Sequence, residues 1–196
     1  MFVQIISGPV ADRDGFLREA ARWGEELKAE APGYLGATWG VSPAGEAVLV
    51  ARFESVEAAK ANSARPEQGE WWAAIEPTFE SVSFQDCSEV DTLMGGGSDE
   101  AGFVQVIRGR VKDLASARAT MTDGEPELRA SRPEILGGIM AWHGDGGGFT
   151  QVMYFRSESE ARSGETAMED DDVGSEYAAM MAVEPTFLDL PDPHVD

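Results

Sequence analysis

The stretch "FVQIISGPVAD", Phe2 to Asp12, returns 101 positions later as "FVQVIRGRVKD", Phe103 to Asp113. Seven positions are identical (Phe, Val, Gln, Ile, Gly, Val, Asp, in order). Each stretch reads as a strand rich in β-branched residues that runs into an aspartate able to cap a helix. Further blocks follow in the same order. "PGYLG" (Pro32 to Gly36) matches "PEILG" (Pro133 to Gly137), and "ARFES" matches "MYFRS", with Phe53 on Phe155. "EPTF" occurs at Glu76 to Phe79 and again at Glu184 to Phe187, which reads as one junction in two copies. Four blocks in one order make the chain a tandem duplication.

The order expected of each copy is strand, helix, strand, strand, helix, strand. In copy one the first strand spans residues 2–10. Asp12 caps a helix whose apolar stripe is Phe16, Ala20, Trp23, Leu27 and Ala31, steps of three and four. Pro32 and Gly33 end it. Two strands, 34–42 and 47–53, flank the turn "PAGE". A helical region in two pieces runs from Ser55 to Ile75, and residues 78–85 form the last strand. In copy two, "WHGDGGGF" is the equivalent hairpin, and Gly124 with Pro126 predicts a kink or break in the first helix. The fold class is α+β, with two ferredoxin-like βαββαβ modules at residues 1–86 and 103–196. Residues 87–102 connect them; Gly95 to Gly97 read as flexible, and Val90, Leu93 and Met94 as residues that pack down. The first strand is apolar on both faces, Val3 and Ile5 against Phe2 and Ile6. A sheet of that kind needs cover on both sides. The expectation is that the sheets of the two copies pack face to face within one chain.

Charge narrows the partners. The chain of 196 residues carries 15 Lys and Arg against 36 Asp and Glu, a net −21. Such a surface repels phosphate backbones and anionic headgroups, so neither nucleic acid nor membrane is expected as a partner. A single cysteine, Cys87, allows no intramolecular disulfide. The N-terminus reads directly as a strand, and no apolar run approaches a membrane span, so a cytoplasmic location is expected.

The "FVQIISG" opening, the "PGYLG" lead into strand two, "ARFES" closing strand three and the tryptophan pair in the last helix together resemble the dimeric α+β barrel superfamily. More narrowly, the chain resembles antibiotic-biosynthesis-monooxygenase-like proteins in a fused tandem form. The resemblance implies an intramolecular version of the barrel, and a pocket between sheet and helices within a module. It also implies cofactor-free oxygenation of polycyclic phenols, or haem degradation, as the activities to consider. Active members line the pocket with an Asn, a last-helix Trp, and a His or Tyr. Carried over, the candidates for ligand binding in copy one are Trp71, Trp72, Gln68, Asn62 and Gln4. Gln105 is the copy-two counterpart of Gln4, and Tyr177 lies near the place of Trp71. The histidine of haem degraders would fall near Ile75 and is absent, so no cofactor is expected.

Each candidate has a structural alternative. The tryptophans could simply fill the space between helix and sheet, and only one of two adjacent helical residues can face a pocket squarely. Gln4 and Gln105, buried amides that need partners, could bond to backbone or across the two copies. His143 with Asp145 could serve as a general base, but both sit at a Gly-rich hairpin tip. The run Glu169 to Asp172, with Glu165, lacks the spacing of a calcium loop, and no metal is expected. Cys87 follows Asp86, an anion that discourages thiolate formation. No catalytic residue is identified. The expected function is binding of an apolar or aromatic small molecule, by a monomer or homodimer of the fused chain. The alternatives are a cofactor-independent monooxygenase acting on a phenolic or polycyclic substrate, and a non-catalytic structural or regulatory protein with filled pockets.

Overall fold

The computed structural model describes residues 1–144, 146–168 and 172–196. It divides into two compact units, residues 1–89 with 192–196, and residues 90–191. In the first unit the order is β1 (Phe2–Pro9), α1 (Arg13–Glu26), β2 (Tyr34–Val41), β3 (Glu46–Phe53), α2 (Val56–Ser63), α3 (Pro66–Ile75) and β4 (Ser83–Cys87). In the second it is β5 (Glu89–Leu93), β6 (Phe103–Arg110), α4 (Leu114–Ser131), β7 (Ile135–Trp142), β8 (Gly148–Phe155), α5 (Glu158–Met168), α6 (Asp172–Met180) and β9 (Thr186–Leu190). A last short strand, β10 (His194–Val195), belongs to the first sheet. The two antiparallel sheets have matching orders, β10-β2-β3-β1-β4 and β5-β7-β8-β6-β9. Each is a ferredoxin-like βαββαβ sheet extended by one edge strand, and the class is α+β. Among the described residues no helix is long and apolar enough to cross a membrane.

Local chemistry accounts for the elements. Asp12 accepts from the Gly15 amide at 2.9 Å and Asp113 from the Ser116 amide at 2.7 Å, so both first helices start on the repeated aspartate. Ser55 caps α2, and Pro66 opens α3 as its first residue. The core of the first unit gathers Ile6, Phe16, Leu27, Trp71, Ile75 and Phe79 between sheet and helices. Val3, Ile5, Val48 and Val50, on the other face of the sheet, are buried as well. The connector contributes structure of its own: Leu93 is buried in the core of the second unit and Met94 packs against it.

Two expectations need correction. Of the kink or break expected at Gly124 and Pro126, the break does not occur: helix α4 is continuous through both. Proline removes one helical hydrogen bond, but Ala117 and Leu128 pack this helix onto the core on either side of it. The "EPTF" echo is also not a structural equivalence. Register pairs Ile6 with Phe84 and Ile107 with Phe187, while isolated bridges pair Val10 with Phe79 and Val111 with Met181. Phe187 therefore corresponds to Phe84, and Phe79 to Met181. The first "EPTF" closes α3 as a 3-10 turn, Glu76–Thr78, whereas the second leads into β9. Proline's fixed φ suits both settings, so the same letters serve two backbones.

Residues 192–196 are held firmly in the first unit. His194 stacks on Trp39 at 4.6 Å, the Asp196 carboxylate accepts from Tyr34 Oη (2.8 Å) and the Ala37 amide (2.7 Å), and Lys28 pairs with it. Burial pushes this carboxyl up, but hydrogen bonds from Lys28, Tyr34 and Ala37 outweigh that and hold it below the ordinary carboxylate range. A lowered folded pKa gives stability that is present above the unfolded value and lost as pH falls through the folded one. Asp196→Asn is expected to cost about 1–2 kcal/mol at neutral pH. The gap from wild type should close on acidification below the carboxylate range, as read by urea melts across pH.

Cys87 sits fully buried on β4. Burial, and then the neighbouring Asp86 charge, push its thiol up to about 11 against a lowering hydrogen bond with Gln85. At neutral pH a thiol reagent should label it at the rate of unfolding, and rapidly only in guanidinium. Fast labelling of the folded chain would contradict this placement.

Candidate functional site: a cavity in the second module

In the first unit the structure brings four of the five proposed ligand residues around one space: Gln4, Asn62, Gln68 and Trp71. Trp72 lies outside that lining. It is half-buried and packs against Phe84 at 5.1 Å, while Trp71 points inward and donates from Nε1 to the Glu19 carbonyl at 2.8 Å. The amides are committed to protein partners. Gln68 Oε1 accepts from Trp23 Nε1 (2.7 Å) and Asn62 Nδ2 (3.3 Å), and Asn62 Oδ1 accepts from Arg65 (3.1 Å). Trp23 fills the middle, 4.8 Å from the Tyr34 ring and 6.4 Å from Trp71. The space that remains is about 40 Å³, a volume on the scale of a water molecule.

The second unit is different. Between its sheet and helices lies a cavity of about 490 Å³, within the range of small-molecule sites. Gln105 and Ile107 on β6 and Gln151, Met153 and Phe155 on β8 form the floor. Met121, Gly124 and Leu128 on α4 line one wall, and Tyr177 and Met180 on α6 line another. The repeat explains the space. Counting from the capping aspartates, Gly124 occupies the position of Trp23, so the indole that fills the first unit has no counterpart. Nothing lies within 4 Å of a Cβ built at Gly124.

The lining is mostly apolar, and its polar members include Gln105, Gln151, Tyr177, Arg132 and the carboxylates of Glu127, Glu165 and Glu176. Tyr177 Oη donates to Gln151 Oε1 at 3.1 Å, and among the described residues Gln151 Nε2 meets only the Met153 sulfur, at 3.2 Å. A thioether is a weak acceptor, so the buried amide keeps donor capacity for a ligand oxygen. Burial raises the Tyr177 phenol well above its usual value, and it stays neutral. At one side Gln105 Nε2 donates to Glu165 (2.8 Å) and Asp189 (3.1 Å), and Arg162 pairs with Glu158, Glu165 and Asp189. Gln4 likewise donates to Asp86 at 3.0 Å. Each glutamine thus bonds a carboxylate on the neighbouring strand of its own sheet.

His143 Nε2 lies 3.0 Å from Thr150 Oγ1 in the β7–β8 hairpin. Asp145 and residues 169–171 of the acidic run lie outside the described residues. Among the described residues no group of three His, Cys, Asp or Glu could hold a metal ion. Sequence reading missed the cavity altogether, although the Trp23/Gly124 pair was visible at the spacing of 101.

No family model and no curated protein matches the sequence. Solved structures do. A protein from Lactobacillus acidophilus NCFM provisionally called a monooxygenase has a TM-score of 0.73 at 15% identity, covering 100% of this chain and 98% of its own. One from Fusobacterium nucleatum subsp. nucleatum, described in the same way, scores 0.75 at 10%, covering 100% and 93%. An anthrone oxidase-like protein scores 0.69 at 14%, covering 100% and 92%. These neighbours match along the whole chain, both modules included. The chain therefore shares the fold of these neighbours, two ferredoxin-like α+β modules in tandem, and its second module holds a sizeable cavity.

Proposed function

We propose that this protein binds a largely apolar, aromatic small molecule in the cavity of the second module. The observation that carries the reading is the contrast in volume: about 490 Å³ behind Gly124 against about 40 Å³ behind Trp23. Apolar walls supply affinity, and Gln151 with Tyr177 supplies the few polar contacts that orient a ligand. Gln4, Asn62, Gln68, Trp71 and Trp72 of the first module then act as packing. The direct test is a titration with the neutral probe N-phenyl-1-naphthylamine, whose emission rises in apolar surroundings. One saturable site per chain is expected; a linear, unsaturable response would remove the reading.

The fold neighbours called monooxygenases and anthrone oxidase-like keep a second reading in play, cofactor-independent oxygenation of a phenolic or polycyclic substrate. Tyr177, a neutral phenol on Gln151, could hold a substrate hydroxyl by hydrogen bonding. Oxygen uptake with anthrones or naphthols, abolished by Tyr177→Phe, would support oxygenation. Binding without uptake would leave the simpler reading in place.

A further inference from the structure

The charges around the cavity define what kind of aromatic fits. Arg162 is a single cation shared by three carboxylates, Glu158, Glu165 and Asp189, which among the described residues leaves two negative charges uncompensated at that side. Glu127 on α4 and Glu176 on α6 also line the cavity, and neither has an ion-pair partner among the described residues. The nearby arginines offer no balance. Arg118 pairs with Asp91 (2.6 Å) and Arg129 with Glu125 (3.0 Å), and Arg132, the one arginine in the cavity lining, is buried and neutralised by its pair with Glu134. The walls add the faces of Phe155 and Tyr177 and the polarizable sulfurs of Met121, Met153 and Met180, surfaces that favour a cation spread over a ring. An anionic ligand would meet carboxylates from three elements and no unpaired cation.

We infer that the ligand is a delocalised aromatic cation, a quaternised or protonated ring amine, which the cavity prefers over neutral or anionic molecules of the same shape. This rests on the binding reading given above and adds its charge class.

The experiment uses three probes with one three-ring body: N-methylacridinium, 9-methylanthracene and anthracene-9-carboxylate. Fluorescence titration of the full chain should show the cation binding at least about tenfold more tightly than the neutral ring, with the anion weakest. Added salt should narrow the gap. Glu127→Gln with Glu176→Gln, both exposed positions, should weaken the cation several-fold and leave the neutral ring unchanged. Gly124→Trp should abolish binding of the cation. If the neutral ring or the anion binds as tightly as the cation, the charge preference is wrong and the cavity reading stands. If the cation binds the Gly124→Trp variant undiminished, it sits on the acidic surface and the inference fails. Absence of binding by all three probes would overturn both readings together.

Discussion

Gly124→Trp is expected to abolish ligand binding in the second module while raising the stability of the chain. Helix α4 would then carry an indole where α1 carries Trp23, over a space that already fits one in the first unit. The cavity would shrink toward the 40 Å³ of its counterpart, and N-phenyl-1-naphthylamine affinity should fall about 100-fold or more, some 2.7 kcal/mol. Stability should move the other way. Glycine inside a helix costs about 0.5–1 kcal/mol relative to alanine, and a side chain lodged in an apolar void adds burial. No atom lies within 4 Å of the new Cβ, so the substitution starts without a clash. A thermal melt alongside the titration separates the outcomes. A higher melting temperature with binding lost supports the site; binding retained in a folded variant would place the ligand elsewhere.

The largest stability loss is expected from Trp71→Ala. Trp71 is 3% exposed, packs with Trp23 and Ile75 over the first sheet, and its Nε1–H satisfies the Glu19 carbonyl. Removing a buried aromatic of this size costs about 3–5 kcal/mol, a large share of the 5–15 kcal/mol that holds a typical domain together. The neighbouring Trp72→Ala should cost roughly 1 kcal/mol, because that ring is half-buried against the exposed Phe84. The comparison is informative because the two residues differ by one position and about 100° of helix. Guanidinium melts of both variants would measure it. Equal losses would mean that α3 is not oriented as described.

Much of the fold could be read from the letters because local rules and global pattern agreed. Asp12 and Asp113 cap, Ser55 opens the two-piece helical region, and the strands around "PAGE" fall within a residue or two of β2 and β3. Where reading failed, two backbones could host the same residues. "EPTF" fits a 3-10 turn and a strand lead-in equally well, so identity misled where register decided. Gly124 with Pro126 was read as a kink or break because the sequence does not show that Ala117 and Leu128 anchor the helix on either side. The site was the least legible part. The family pattern drew attention to residues that are present, the tryptophans and amides of copy one. A cavity is made by what is absent, and the informative position was a glycine.

The placement of residues 192–196 has a consequence for biogenesis. The first unit is discontinuous in sequence, whereas the second, residues 90–191, is a single uninterrupted segment. A ribosome releasing the chain from its N-terminus therefore exposes every residue of the later unit before the earlier one can receive its fifth strand. The half that is translated first is the half that finishes last, with Trp39 and Lys28 waiting for His194 and Asp196 until elongation has passed both.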